Sequence, residues 1–472
     1  NVQSASWRPD SKALVAEANA YQRDEYQYER ADLWSVTLDG ETRRLTDDGY
    51  NYGAPVWTPD GRSIVFTRAQ SLTQVLAAKQ NHGSPVDIFR MPADGGSTGK
   101  MENLTADWDL LPGAPTVGGD GRFIYFSGGV GGNAHLFRVP MAGGKVQQLT
   151  QGDRMLGAFS FSAAFDRTAY VATDPTHPSE IFSARADGAG EKRLSALNDT
   201  FLNEVDLKPA ERLHYPSKDG TQIEGWVILP RGYNAGGGKY PLILNIHGGP
   251  HGAYTNSFSF QFQLLAANGY ATLYTNPRGS TGYGEKFLWG TWGGWGNLDY
   301  EDVMAGVDQA LKRYAIDEKR LGVTGYSYGG FLTNWVITQT PRFAAAVTGA
   351  GISNWISDYG TGDIPRTKES EFFGAPWEQK GAETLMKYSP ILQAAKVATP
   401  TLFVHGEADL RVPIEQAEQM YTALKKRRVP ARFIRYPDSY HGGWTAWNTT
   451  HRYYQELKWW EQYLSIKTAS AQ

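Results

Sequence analysis

The chain has 472 residues, more than a single core of ~100–200 residues organises, so two domains are expected. Its net charge is −3 and its longest basic run is Lys425-Lys426-Arg427-Arg428, which speaks against a nucleic-acid or anionic membrane partner. It has no cysteine, which excludes disulfides, thiolate metal sites and a cysteine nucleophile, and no apolar stretch approaches the ~20 residues of a membrane helix. The compartment, periplasm or cytoplasm, stays open. The chain begins at Asn1 and not at Met, so any signal segment is expected upstream.

The first two hundred residues repeat. Trp7-Arg8-Pro9-Asp10-Ser11 returns as Trp57-Thr58-Pro59-Asp60-Gly61, then more loosely as Gly119-Asp120-Gly121 and Phe165-Asp166-Arg167, each followed by an apolar strand. A second phrase keeps step with it. Strands beginning at Leu33, Ile88, Leu136 and Ile181 precede Leu45-Thr46, Leu104-Thr105, Leu149-Thr150 and Leu194-Ser195, and Leu104, Leu149 and Leu194 are spaced by 45 residues. That is the period of a four-stranded propeller blade. Residues 1–198 are therefore read as four β-propeller blades. The runs Gly128-Gly129-Val130-Gly131-Gly132 and Gly143-Gly144 are placed at turns between strands and not at phosphate loops, since no helix start follows them.

From 199 to 472 the pattern changes to short apolar strands alternating with helical stretches, an α/β-hydrolase-like, doubly wound and mostly parallel sheet. Within it Leu321-Gly322-Val323-Thr324 runs into Gly325-Tyr326-Ser327-Tyr328-Gly329-Gly330 and then into a helical stretch, the strand, turn and helix that present a serine oxygen as a nucleophile. Acyl transfer on a serine needs a base and a carboxylate to orient it. Asp409 follows the strand at Thr401–Val404, and His441 follows the strand at Arg432–Tyr436. Ser327, Asp409 and His441 thus fall in α/β-hydrolase chain order at the edge where open sheets bind ligands. The oxyanion donors expected are the backbone amides of Tyr328 and of Gly249 in His247-Gly248-Gly249-Pro250. His247 and His251 are four apart, but the intervening Gly-Gly-Pro prevents the helix that a zinc pair needs. No metal or cofactor is expected.

Gly-Tyr-Ser-Tyr-Gly-Gly, His-Gly-Gly-Pro, Asn276-Pro277-Arg278-Gly279-Ser280-Thr281-Gly282-Tyr283-Gly284 and His405-Gly406-Glu407-x-Asp409-x-Arg411-Val412-Pro413, behind propeller repeats, resemble the prolyl oligopeptidase family of serine peptidases. Within it the chain is most similar to the acylaminoacyl-peptidase and bacterial dipeptidyl-peptidase branch. The resemblance implies an exopeptidase or oligopeptidase acting on short peptides through an acyl-enzyme. It further implies that Arg411 binds a substrate carbonyl, and that Ile352, Trp355, Tyr359 and Val412 line the pocket for the residue before the scissile bond. A small-molecule esterase or amidase, and a propeller interaction module with an inert hydrolase domain, are the alternatives. Such family members carry seven or eight blades, so upstream blades are expected as a further segment of the same protein. Self-association is left open. Glu25 and Glu29 are assigned no role.

Overall fold

The computed structural model describes residues 2–19, 30–83, 85–95 and 101–464. Glu25 and Glu29 lie outside the described residues. The chain divides into two compact units, Asn1–Glu204 with Thr255–Phe258 and Thr281–Lys286, and Val205–Tyr254 with Ser259–Ser280 and Phe287–Gln472.

The first unit holds four antiparallel four-stranded blades. They are Val2–Trp7, Ala13–Ala18, Asp32–Thr37 and Thr42–Arg44; then Asn51–Trp57, Ser63–Ala69, Val86–Pro92 and Glu102–Asn103. The third is Thr116–Val117, Phe123–Val130, Asn133–Pro140 and Gln147–Gln148, and the fourth Met155–Phe161, Arg167–Asp174, His177–Arg185 and Lys192–Arg193.

Both repeated phrases have a hydrogen-bonding cause. In the first, Asp10, Asp60 and Asp120 accept the backbone amide two residues on at 3.0, 3.0 and 2.9 Å, closing the turn between the first two strands. The next residue is left-handed in each case, Ser11, Gly61 and Gly121. In the fourth blade Phe165 takes that position, two residues earlier than the sequence alignment places it, which is why that repeat looks loose. In the second phrase, the hydroxyls of Thr46, Thr105, Thr150 and Ser195 accept the amides of Leu33, Ile88, Leu136 and Ile181 at 2.8–3.0 Å. The preceding leucine amides return a bond to the same four residues' carbonyls at 2.7–2.8 Å. A hydroxyl residue is needed there because the short fourth strand has ended before it reaches this third-strand amide, at Arg44, Asn103, Gln148 and Arg193.

Apolar residues of neighbouring blades pack together: Val15 and Leu33 with Tyr52, Ile64 and Phe66, and Val65 and Ile88 with Ile124, Phe126 and Phe137. Trp7 remains 56% exposed. One glycine expectation is corrected. Gly128 and Gly129 lie inside the strand Phe123–Val130, and only Gly131-Gly132 makes the turn. A Cβ on Gly128 would sit 2.6 Å from Trp108, so the glycine there makes room for an indole.

The second unit is built on an eight-stranded sheet: β1 (Ala210–Pro216), β2 (Gln222–Ile228), β3 (Tyr240–Ile246), β4 (Ala271–Asn276), β5 (Ile316–Tyr326), β6 (Ala345–Gly349), β7 (Thr401–Gly406) and β8 (Ala431–Tyr436). Their order is β1-β2-β4-β3-β5-β6-β7-β8, antiparallel over the first three and parallel from β4 onward. Strands β4, β6 and β7 are buried along their whole length, and β3 along all but its first residue, as both faces are covered. Helices α1 (Phe260–Ala267) and α5 (Ala446–Leu464) contribute Phe262, Leu265, Trp459 and Trp460 to one side. Helices α2 (Leu298–Arg313), α3 (Tyr328–Gln339) and α4 (Glu415–Lys426) contribute Val303, Phe331 and Met420 to the larger cluster on the other. The parallel strands all deliver their carboxyl ends to one edge.

Candidate active site

Ser327 occupies the single residue between β5 and α3, with φ 61° and ψ −123°, a backbone region that a side chain strains to hold. The surrounding packing enforces it. Its amide donates to the Gly349 carbonyl at 2.9 Å, and its carbonyl accepts the Phe331 amide at 2.8 Å. A Cβ on Gly325 would lie 2.3 Å from the Gly329 carbonyl oxygen, and one on Gly329 would lie 2.1 Å from that of Ile246. The glycines on either side of the serine are therefore close-approach positions, without which β3, β5 and α3 cannot pack as they do.

His441, on the loop after β8, meets Ser327 Oγ through Nε2 at 2.9 Å and Asp409 Oδ2 through Nδ1 at 2.7 Å. Asp409, on the loop after β7, has a fully buried carboxylate. Its Oδ1 accepts the amides of Arg411 and Val412, each at 3.0 Å. Burial alone would raise its pKa, but the imidazoles of His405 and His441 and the Val412 amide outweigh burial and hold it well below the usual carboxylate range. His405 is buried, donates Nε2–H to the Val412 carbonyl at 2.8 Å, and lies 3.6 Å from Asp409 Oδ2.

Two loops meet around the serine. Tyr328 opens α3, so its amide is among those a helix leaves without an intrahelical acceptor. Gly248 lies beside Ser327: a Cβ there would be 3.6 Å from Ser327 Cβ. Gly249 follows with φ 138°, and a Cβ on it would meet the amides of His251 and Gly252 at 2.6 Å.

Behind these loops runs a buried polar chain. His251 Nδ1 faces the Gly279 carbonyl at 2.9 Å and Nε2 faces Glu371 Oε1 at 3.2 Å. Both partners accept hydrogen bonds, so the protonated ring satisfies both. Burial would depress its pKa, but Glu371 and the carbonyl more than offset this and raise it. The Trp295 indole donates to Glu371 Oε2 at 2.9 Å and stands perpendicular to the Tyr328 ring at 5.2 Å. The Tyr328 hydroxyl donates to Asp299, whose carboxylate also accepts the Gly296 and Tyr300 amides.

Asp299 carries a pH prediction. Burial pushes its pKa up to about 6, against the Tyr328 hydroxyl and the two amides, which favour the charged form. The native carboxyl thus holds a proton that the unfolded one releases near pH 4. Its contribution to stability is fully present below that pH and falls by up to about 3 kcal/mol as pH rises through 6. Denaturant unfolding at steps from pH 4 to 7 should show this downward component in the native protein and not in Asp299→Asn. Parallel pH profiles for the two proteins would remove Asp299 as its source.

The expected pocket residues fare unequally. Trp355 is fully buried among Trp295, Phe331 and Phe372, with its indole N–H on the Tyr388 carbonyl at 3.1 Å. Its side chain lies within the hydrophobic core cluster. Ile352 and Val412 belong to the same core cluster and keep 4% and 3% of their surface. Tyr359 is half-buried, its hydroxyl on Glu369 at 2.7 Å and its ring perpendicular to that of the exposed Trp377. Arg411 extends beside Asp409 into a two-pronged ion pair with Asp363, at 2.6 and 3.3 Å, with nearly half its side chain exposed.

Residues 256–467 match the model of the prolyl oligopeptidase family. The uncharacterized peptidase YuxL of Bacillus subtilis is 37% identical over 93% of this chain and 73% of its own length. The chain belongs to the prolyl oligopeptidase family. Dipeptidyl-peptidase 5 of Porphyromonas gingivalis is 27% identical over 93% of this chain, which spans only 64% of that relative. Among solved structures, the Pyrococcus horikoshii acylaminoacyl peptidase superposes with a TM-score of 0.83 at 25% identity, covering 99% of this chain and 72% of the other. A prolyl oligopeptidase family member is a serine peptidase, built of propeller and α/β-hydrolase parts, and the sheet order and blades described above are those of that fold.

Sequence reasoning gave His405, Glu371 and Asp299 no function. His405 stood inside a quoted motif, immediately after the strand Thr401–Val404 and four residues before Asp409, and that spacing was the available signal. Glu371 and Asp299 sit in ordinary helical text and carried none.

Proposed function

We propose that the protein is a serine exopeptidase or oligopeptidase that hydrolyses short peptides through an acyl-enzyme on Ser327, of dipeptidyl-peptidase or acylaminoacyl-peptidase type. The observation that carries this is the hydrogen-bonded file of Ser327, His441 and Asp409, at 2.9 and 2.7 Å. Ser327 Oγ attacks the scissile carbonyl while His441 Nε2 takes its proton; Asp409 fixes the ring with Nδ1–H toward itself and stabilises the imidazolium. The oxyanion is held by the Tyr328 and Gly249 amides. The imidazolium then protonates the departing amine, and water, activated by the same histidine, releases the acyl group.

Arg411 positions substrate. Asp363 holds its guanidinium plane in place beside the acid loop, where it meets a backbone carbonyl on the acyl side. A charged hydrogen bond of this kind contributes ~1.5–3 kcal/mol, so Arg411→Ala should lower kcat/KM for peptides by roughly ten- to a hundred-fold. A small ester lacking that carbonyl should lose much less; equal losses on both would refute the role.

The names of the relatives, a dipeptidyl-peptidase and an acylaminoacyl peptidase, support an exopeptidase and differ on whether the substrate's amino end is free or acylated. Dipeptidyl, acyl-aminoacyl and simple ester chromogenic substrates assayed side by side separate these. Turnover of the ester alone would overturn the peptidase reading.

A further inference from the structure

A cavity of about 280 Å³ opens beside Ser327, on the α1 and α5 side of the strand ends, lined among others by His247, Gly248, Tyr254, Gln261, Tyr326 and Arg452. It is near the small end of ligand pockets, which run from ~300 Å³ upward. Two of its polar groups are unused. The Tyr326 hydroxyl is buried without a hydrogen-bond partner. Arg452 donates Nε–H to Glu456 at 2.6 Å, while its two Nη groups have no hydrogen-bond partner among the described residues. A buried hydroxyl is ordinarily paired, and an orphaned one beside a cavity that also holds an accessible guanidinium edge points to an absent acceptor.

We propose that this cavity binds the C-terminal carboxylate of a short peptide, through the Arg452 Nη groups and the Tyr326 hydroxyl. This rests on the peptidase reading for the source of the carboxylate. A guanidinium edge and a phenol are matched to the two oxygens of a carboxylate. Glu456 already offsets one positive charge, its second oxygen held by Gln261 at 3.3 Å, so the site suits a monoanion better than a phosphate dianion. The position suits a leaving group. Gly248 borders both the cavity and the Ser327 side chain, so a ligand seated there lies close to that side chain. The Tyr326 ring is 5.0 Å from the Arg452 guanidinium and 5.4 Å from the His441 ring; an occupant bonded to its hydroxyl is therefore one ring away from the base. Such a site selects short peptides with a free carboxyl end over blocked or long ones.

The test is calorimetry on the full chain carrying Ser327→Ala, titrated with alanylalanine and with alanylalanine amide. The acid should bind about ten- to a hundred-fold more tightly than the amide. Adding Tyr326→Phe or Arg452→Gln should bring that ratio toward one. Tyr326→Phe removes a hydroxyl that bonds to nothing in the unliganded protein, so it does not weaken folding and keeps the test readable even if Arg452→Gln, which strands Glu456, fails to fold. Equal affinity for acid and amide, or a preference that survives Tyr326→Phe, overturns the site. Because binding is read without turnover, loss of the peptidase reading would appear separately, as failure of the Ser327 protein to hydrolyse any peptide.

Discussion

Replacing Ser327 by alanine is expected to lower kcat on peptide substrates by about 10⁶-fold, the loss typical when the nucleophile of a serine, histidine and carboxylate unit is removed. The fold should be unaffected. Alanine keeps the Cβ that the β5 to α3 turn already accommodates, and the side-chain bond lost is the one to the partly exposed His441 ring. A fluorophosphonate should label Ser327 alone in the native chain and nothing in the variant. Peptide mapping of the labelled protein checks this, and adduct on any other serine would sink the assignment.

The second large effect concerns the acid. Asp409→Asn should reduce kcat/KM by about 10⁴-fold, for a reason visible in the loop. The two amides of Arg411 and Val412 occupy Oδ1, so the asparagine carbonyl oxygen must take that place. Its NH₂ then faces His441 Nδ1 and the Nε2–H of His405. The first contact forces the proton of His441 onto Nε2, where the ring can no longer accept one from Ser327; the second sets two donors against each other. Stopped-flow measurement of fluorophosphonate labelling should show a comparable slowing. A loss below tenfold would mean that Asp409 does not set the tautomer.

What was legible in the sequence was whatever local chemistry writes in a short window. The blade phrases could be read because an Asx turn and a hydroxyl capping one amide each demand particular residues at fixed offsets. The glycines around Ser327 could be read because backbone oxygens stand where their Cβ atoms would be. The pocket was not legible: Trp355 is as aromatic as a pocket wall, but it lies under three other rings, and residue type does not separate a wall from a core. The chain from His251 through Glu371, Trp295 and Tyr328 to Asp299 joins four separate segments, and only the folded sheet edge brings them together.

The backbone of Ser327, at φ 61° and ψ −123°, has a consequence for how such a chain changes over time. Strain of this kind costs of order 1–3 kcal/mol, and glycine would carry it at little penalty. The position proposed to carry the nucleophile is therefore one that folding by itself would fill differently. Only continued demand for turnover keeps a side chain there. In a lineage released from that demand, this codon is where a single change both silences the enzyme and makes the protein sturdier, so silent descendants of this fold would tend to lose their serine first.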